Sequence, residues 1–264
     1  MTQDSYGWKA GGVEALIRIE RVFKRFGPGE VLRGAHLHIF RGETLVIIGE
    51  SGCGKSVLLK HIIGLLRPDK GRVIFDHIEV SSTDETDLAT VRRRFGMVFQ
   101  MSALFDSMSV RGNVAFGLYR HTSYPEKRIN ELVTEKLRLV GLSSVADKMP
   151  AELSGGMKKR VGIARAIALD PEVILYDEPT TGLDPIMADV INELILRVQR
   201  TQNTTSIVVT HDMKSAYKIG SRIAMLHQGK IIQIGTPEEI QNSSNPIVGQ
   251  FIRGEARERI EESV

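Results

Sequence analysis

The chain has 264 residues, of which 42% are apolar and 25% charged, with a formal net charge of +3. This composition suits a soluble globular protein with one large domain, or a core carrying an inserted lobe. The small positive excess fits a partner at an anionic membrane surface, but it is too weak to argue for nucleic acid, and no nucleic-acid partner is expected. A single cysteine, Cys53, excludes an internal disulfide.

In chain order, residues 1–14 are polar and glycine-containing, with one aromatic, Trp8, and read as a loosely packed tail. Over residues 15–23 an alternating pattern places Leu16, Ile17, Ile19 and Val22 in a strand, and residues 36–40 fit a second. Together with Thr44 to Ile48 these predict a small antiparallel sheet. Between the first two lies the turn Lys24-Arg25-Phe26-Gly27, where Phe26 either stacks on an adenine ring or caps the sheet.

Residues 49–56 read Gly-Glu-Ser-Gly-Cys-Gly-Lys-Ser between the apolar run ending at Ile48 and the helical pattern from Val57. Strand, glycine-rich loop and helix in that order are what a phosphate-binding loop requires. Its glycines let backbone N–H groups turn inward around phosphates, and the helix N-terminus adds partial positive charge. Lys55 would neutralise phosphate charge, and the Ser56 hydroxyl would hold Mg²⁺. Cys53, close to Lys55 and the helix start, is expected to have a lowered pKa and ATP-protected reactivity.

A strand over 72–75 follows, then a polar stretch over 81–90 and three arginines, Arg92 to Arg94, which read as solvated charge before the strand 95–99. That strand ends at Gln100, placed to reach a metal or an attacking water. From Met101 onward the pattern is helical, with Ile129, Leu132, Val133, Leu137 and Val140 at helical spacing, and no strand interrupts it before Leu153-Ser154-Gly155-Gly156-Met157. Ser154 and its two glycines open a helix, either as a second anion site or as a simple cap. The run 173–178 is a buried strand ending in Asp177 and Glu178. Asp177 can hold Mg²⁺ through its water shell, and Glu178 can take a proton from water. After the turn 181–185 and a helix over 186–200, strand 206–210 ends at His211, which can polarise a phosphate or water or be structural. Strands 222–226 and 230–234 flank a hairpin turn.

This ordered set resembles the ATP-binding subunits of ABC transporters, over about residues 15–240. The resemblance implies an α/β fold, an ABC-type P-loop core with a mostly parallel sheet, an antiparallel β subdomain and an inserted helical subdomain of about 101–164, flanked by tails 1–14 and 245–264. It makes Glu178 the general base, His211 the switch histidine and Gln100 the glutamine loop, with Lys55 completing the catalytic set. ATP would be held by Phe26, by Gly49, Glu50, Ser51, Gly52, Cys53, Gly54, Lys55, Ser56 and Val57, and across a homodimer by Ser154, Gly155, Gly156 and the D-loop Asp184. Ser56, Gln100 and Asp177 would hold Mg²⁺.

Met157 stands where the usual signature has glutamine. With the strings around Gln100 to Met108, Met149 to Met157 and Asp184-Pro185-Ile186, it resembles the ATPase subunits of MCE-associated, Mla-type phospholipid transporters. That likeness implies an Mla-type integral-membrane permease, an MCE-domain protein, a small STAS-type accessory subunit and phospholipid as cargo. No apolar run reaches the roughly 20 residues that span a bilayer, and the first 14 lack a signal-peptide core. The expected place is therefore the cytoplasm, peripheral on the inner face of the inner membrane. The tail beyond Asn245, with Ile247, Val248, Phe251 and Ile252, either clasps another subunit or frays. An importer of polar amino acids or a soluble ABC ATPase are the rival readings.

Overall fold

The N-terminal alternation does build an antiparallel sheet. In the computed structural model, which describes residues 9–10 and 13–255, Lys9–Ala10 (β1) pairs with the start of Val13–Phe26 (β2), which turns into Gly29–Phe40 (β3). Thus residues 9, 10, 13 and 14 of the expected loose tail belong to strands, whereas its other residues, including Trp8, lie outside the described ones. Ile17, Ile19 and Val22 are fully buried, each such side chain contributing about 1.5–3 kcal/mol of transfer free energy.

Thr44–Ile48 (β4) does not join this sheet, contrary to the sequence expectation. It is buried at every position and pairs in parallel with strands far along the chain. A strand apolar on both faces needs cover on both, which an exposed antiparallel sheet does not supply. Lys55–Ile62 (α1) follows, and the chain then returns to the first sheet with Lys70–Phe75 (β5) and Ile78–Glu79 (β6).

The polar stretch over 81–90 contains most of the helix Glu85–Arg93 (α2). Asp84 caps it by accepting from the Asp87 N–H, and Leu88 and Val91 are its buried side. Nor are all three arginines solvated. Arg92 donates to the carbonyls of Ile63 and Gly64, while Arg94 binds Glu172 (2.6 Å) and Asp76 (3.0 Å) and lies 4.3 Å over the Phe75 ring, joining the two sheets.

Phe95–Val98 (β7) leads to three helices with no strand among them: Val110–His121 (α3), Glu126–Leu139 (α4) and Gly155–Ala166 (α5). The remainder alternates as Val173–Asp177 (β8), Pro185–Gln202 (α6), Thr205–Thr210 (β9), Met213–Ile219 (α7), Arg222–His227 (β10) and Lys230–Gly235 (β11), then Pro237–Gln241 (α8) and Pro246–Arg253 (α9). The second sheet has the order β11-β10-β4-β9-β8-β7. All its pairs are parallel except β10–β11. The fold is therefore the expected α/β architecture.

Successive residues of β4 serve opposite cores. Val46 and Ile48 join the helices of residues 110–198, whereas Leu45 and Ile47 join the antiparallel sheet and α1. As far as Arg253 the C-terminal segment forms a helix on the chain's own core. Val248 is fully buried, and Ile247, Phe251 and Ile252 pack on the same core. Residues 256–264 lie outside those described.

Candidate functional site

Parallel register brings the functional residues to one edge. Ile48 sits opposite Thr210, Asp177 opposite Val209 and Val98 opposite Tyr176. The residues that follow these strands, Gly49, His211, Glu178 and Gln100, therefore emerge on the same side, where ligands collect in open α/β sheets.

The loop after β4 needs its glycines. A side chain on Gly49 would sit 2.2 Å from the Leu226 carbonyl oxygen and 2.8 Å from Cys53 Sγ. Gly54, with φ +106, is the N-cap of α1 and lies against Val31 and Leu32 of β3. The same crowding places the Cys53 thiol inward, against the core beneath the loop. Burial pushes its pKa up, with Lys55 opposing, so the expected low-pKa thiol is corrected. Desolvation of a thiolate outweighs the nearby charge here.

Lys55 is 6% exposed and donates to the carbonyls of Gly49 (2.8 Å) and Glu50 (3.1 Å), with Glu178 Oε1 3.7 Å away. Glu178 Oε2 lies 3.0 Å from His211 Nδ1 and accepts from the Thr181 hydroxyl at 3.2 Å. Glu178 itself has φ +48, and its N–H donates to the Val209 carbonyl at 3.0 Å. A left-handed backbone at a non-glycine residue is unfavourable and recurs where a side chain must be aimed. Ser56 Oγ donates to Asp177 Oδ1 at 2.8 Å. Burial raises the Asp177 carboxyl above its usual range, the Ser56 hydroxyl pulls it back, and the neighbouring charge of Glu178 adds to the rise.

A buried carboxylate and a hydroxyl in contact, beside a phosphate-type loop, match what Mg²⁺ takes from a protein when phosphates and water complete its shell. Ser56 and Asp177 therefore fit the ion. Gln100 is exposed at the end of β7, and the bond that fixes it is through its backbone carbonyl, which accepts from Lys159.

Other predicted residues do not meet this cluster within the chain. Ser154 is exposed and accepts from the Met157 N–H as the N-cap of α5. Asp184 caps α6 through the N–H groups of Ile186 and Met187, both at 3.0 Å. For Ser154 the single chain thus displays the capping alternative, and Asp184 likewise caps a helix within the chain. Gly155 is exposed, whereas Gly156 is buried against Met187. Phe26 is 47% exposed at the tip of the β2–β3 hairpin, with the Lys24 ammonium 5.7 Å from its ring centre.

Two contributors escaped sequence reasoning. Thr181 looked like a turn residue, and Lys159 lay hidden in the run Lys158-Lys159-Arg160. The available signal was helical spacing, which puts Lys159 on the face of the buried Gly156 and Ile163.

Comparison with known proteins shows the family. The family model described as ABC transporter matches residues 32–181. The intermembrane phospholipid transport system ATP-binding protein MlaF of Haemophilus influenzae is 42% identical over 241 residues, covering 91% of each chain. The probable ribonucleotide transport ATP-binding protein mkl of Mycobacterium leprae is 40% identical over 90% of this chain and 69% of its own length, so this chain spans about two thirds of that relative. A dimeric ATP-binding cassette, MJ0796, in a post-hydrolysis state bound to ADP and Pi superposes with a TM-score of 0.77 at 32% identity, covering 84% of this chain and 98% of that one. No helix among the described residues is long and apolar enough to cross a membrane.

Proposed function

The chain belongs to the ABC transporter family and is an ATP-binding, ATP-hydrolysing subunit of it, and from that premise we propose that its hydrolysis powers phospholipid movement by a membrane permease. The observation that carries the catalytic part is the convergence of Lys55, Ser56, Asp177, Glu178, Thr181 and His211 at one strand edge. The lipid part is supported by the likeness to MlaF.

In this reading, water attacks the γ-phosphorus in line, the bond from phosphorus to the bridging oxygen breaks, and ADP leaves. A Glu178 carboxylate oxygen accepts the proton of the water, and His211 and Thr181 fix which way that carboxylate faces. Lys55 neutralises phosphate charge from within its ring of loop carbonyls. Ser56 and Asp177, with Gln100 at hand, would hold Mg²⁺, which would supply charge neutralisation on the phosphates. The loop 49–57 cradles the triphosphate, Phe26 is exposed for stacking, and Ser154, Gly155, Gly156 and Asp184 complete the site of a second copy in a homodimer.

The permease contact lies around residues 103–113. Asn113, fully buried, accepts from the Phe105 N–H and places its amide nitrogen 3.1 Å from the carbonyls of Phe105, Met108 and Ser109. It thereby ties that segment to α3. Beside it, Met108, Gly112, Phe116, Tyr119 and Arg120 line an open groove of about 610 Å³. An MCE-domain protein and a small STAS-type subunit complete the complex, with this chain peripheral on the cytoplasmic face of the inner membrane.

The test is purification of the tagged chain from its own membranes in mild detergent, with mass spectrometry of the proteins and lipids that accompany it. A multi-span permease, an MCE-domain protein and phospholipid are expected. A permease for polar solutes would keep the ATPase and discard the cargo, and no membrane protein at all would remove the transport role.

A further inference from the structure

Among the buried residues that the mechanism above leaves unused is Lys159, in the second turn of α5. It is 6% exposed, and among the described residues no carboxylate comes within ion-pair distance of it. Burying an unpaired ammonium is costly, and a side chain that merely filled this space would be better apolar. The Lys159 ammonium instead donates to two backbone carbonyls, those of Gln100 and Glu178, the second at 3.3 Å. These are the residues that follow β7 and β8, neighbouring strands of the parallel sheet. Burial lowers the lysine pKa, while the charges of Glu178 and Asp177 oppose that shift.

The contacts of Glu178 explain what this bond does. Its N–H is held by Val209 of β9, and its carboxylate by Thr181 and His211. Its carbonyl accepts from the Thr181 N–H, within its own loop, and from Lys159, on a helix outside the sheet, both at 3.3 Å. With φ at +48, the peptide after Glu178 has to be fixed from one side or the residue relaxes toward ordinary backbone and swings the carboxylate away. The same ammonium fixes the carbonyl of Gln100, and it stands on the helix whose N-cap is Ser154.

We propose that Lys159 is a positioning residue for ATP hydrolysis, one ammonium shared between the carbonyls of Gln100 and Glu178 that holds the base aimed and ties both strand ends to the Ser154 helix. The proposal rests on the reading of Glu178 as the base. Neighbouring contacts from α5 give the tie further rigidity: Arg165 donates to the carbonyls of Ser102 (2.8 Å) and Ala103 (2.6 Å), both left-handed residues, and Gly162 lies against Ser102.

The test measures steady-state ATP hydrolysis and thermal unfolding of the full chain for wild type, Lys159→Met, Lys159→Gln, Lys159→Arg and Glu178→Gln. Lys159→Met should lower kcat about tenfold or more while KM for ATP stays within about twofold, since base alignment and not ATP binding is lost. Lys159→Arg should recover kcat to within about threefold because it restores charged donors. Lys159→Gln, which keeps two N–H donors on a shorter stem, should fall between and stands in if the methionine variant does not fold. Wild-type kcat in both Lys159→Met and Lys159→Gln, or arginine no better than methionine at equal folded fraction, would overturn the proposal. Retained turnover in Glu178→Gln would instead remove the base assignment, whereas an inactive Glu178→Gln beside a normal Lys159→Met would remove Lys159 alone.

Discussion

Two helix N-termini in this molecule carry phosphate-type signatures, and they are finished to different degrees. The start of α1 is sunk among strand ends, where Lys55 touches two loop carbonyls and Glu178, and Ser56 touches Asp177. Gly54 caps that helix without a side chain. The start of α5 is capped by Ser154 and leaves Ser154 and Gly155 exposed, and its side-chain cap bond goes to its own Met157 N–H. The contrast teaches that one chain supplies a complete floor for the triphosphate and, separately, an unengaged roof. In the proposed reading, that roof serves a second copy.

The sharpest way to break this picture is at the floor. Glu178→Gln should keep ATP binding and slow hydrolysis by about 10²-fold or more, the scale of losing a positioned base; calorimetry of ATP binding beside a phosphate-release assay reads both. At the roof, Ser154→Arg should slow hydrolysis by about 10²-fold, as misplacement of a positioned group does. It should leave ATP affinity of the dilute chain unchanged, because in the proposed reading the floor of one chain holds the nucleotide without the roof. A parallel loss of affinity would mean that the two helix ends are not separate. Lys55→Ala should weaken ATP binding about 10- to 100-fold, the worth of hydrogen bonds to a charged group, as fluorescent-ATP titration would show. The smallest effect concerns Cys53. Because burial raises its thiol pKa, little thiolate exists near pH 7, and alkylation should run about tenfold slower than for free cysteine, rising about tenfold per pH unit while the thiol remains mostly protonated. Mass spectrometry after iodoacetamide at several pH values checks this, and rapid labelling at pH 7 would contradict it.

The floor was legible because its chemistry is local. Strand, glycine loop and helix occupy consecutive residues, and Asp177-Glu178 closes an unmistakably buried run. Sheet membership was not legible in the same way. The run ending at Ile48 looked like a neighbour of the strands beside it in sequence, but its partners are Arg222 to Met225 and Ser206 to Thr210, and pairing at that range leaves no local trace. The helix after Asp84 was missed because only Leu88 and Val91 mark its buried side. The Cys53 expectation failed on direction. Proximity to Lys55 was visible in the sequence, whereas the packing of Sγ beneath Gly49 was not. Lys159 looked like one more surface cation, since whether a lysine in a basic run points to water or to two carbonyls depends on which helix face the sheet covers.

The measurement that tests the shared-site account most directly is the solution mass of the Glu178→Gln chain, by analytical ultracentrifugation, with saturating ATP and Mg²⁺ and again with ADP. A ligand can favour the closed pair only by binding it better than the separate chains, so ATP should double the mass and ADP should not. Combining this variant with Ser154→Arg should abolish the doubling. A chain that binds ATP yet keeps its monomer mass at every concentration would contradict the account.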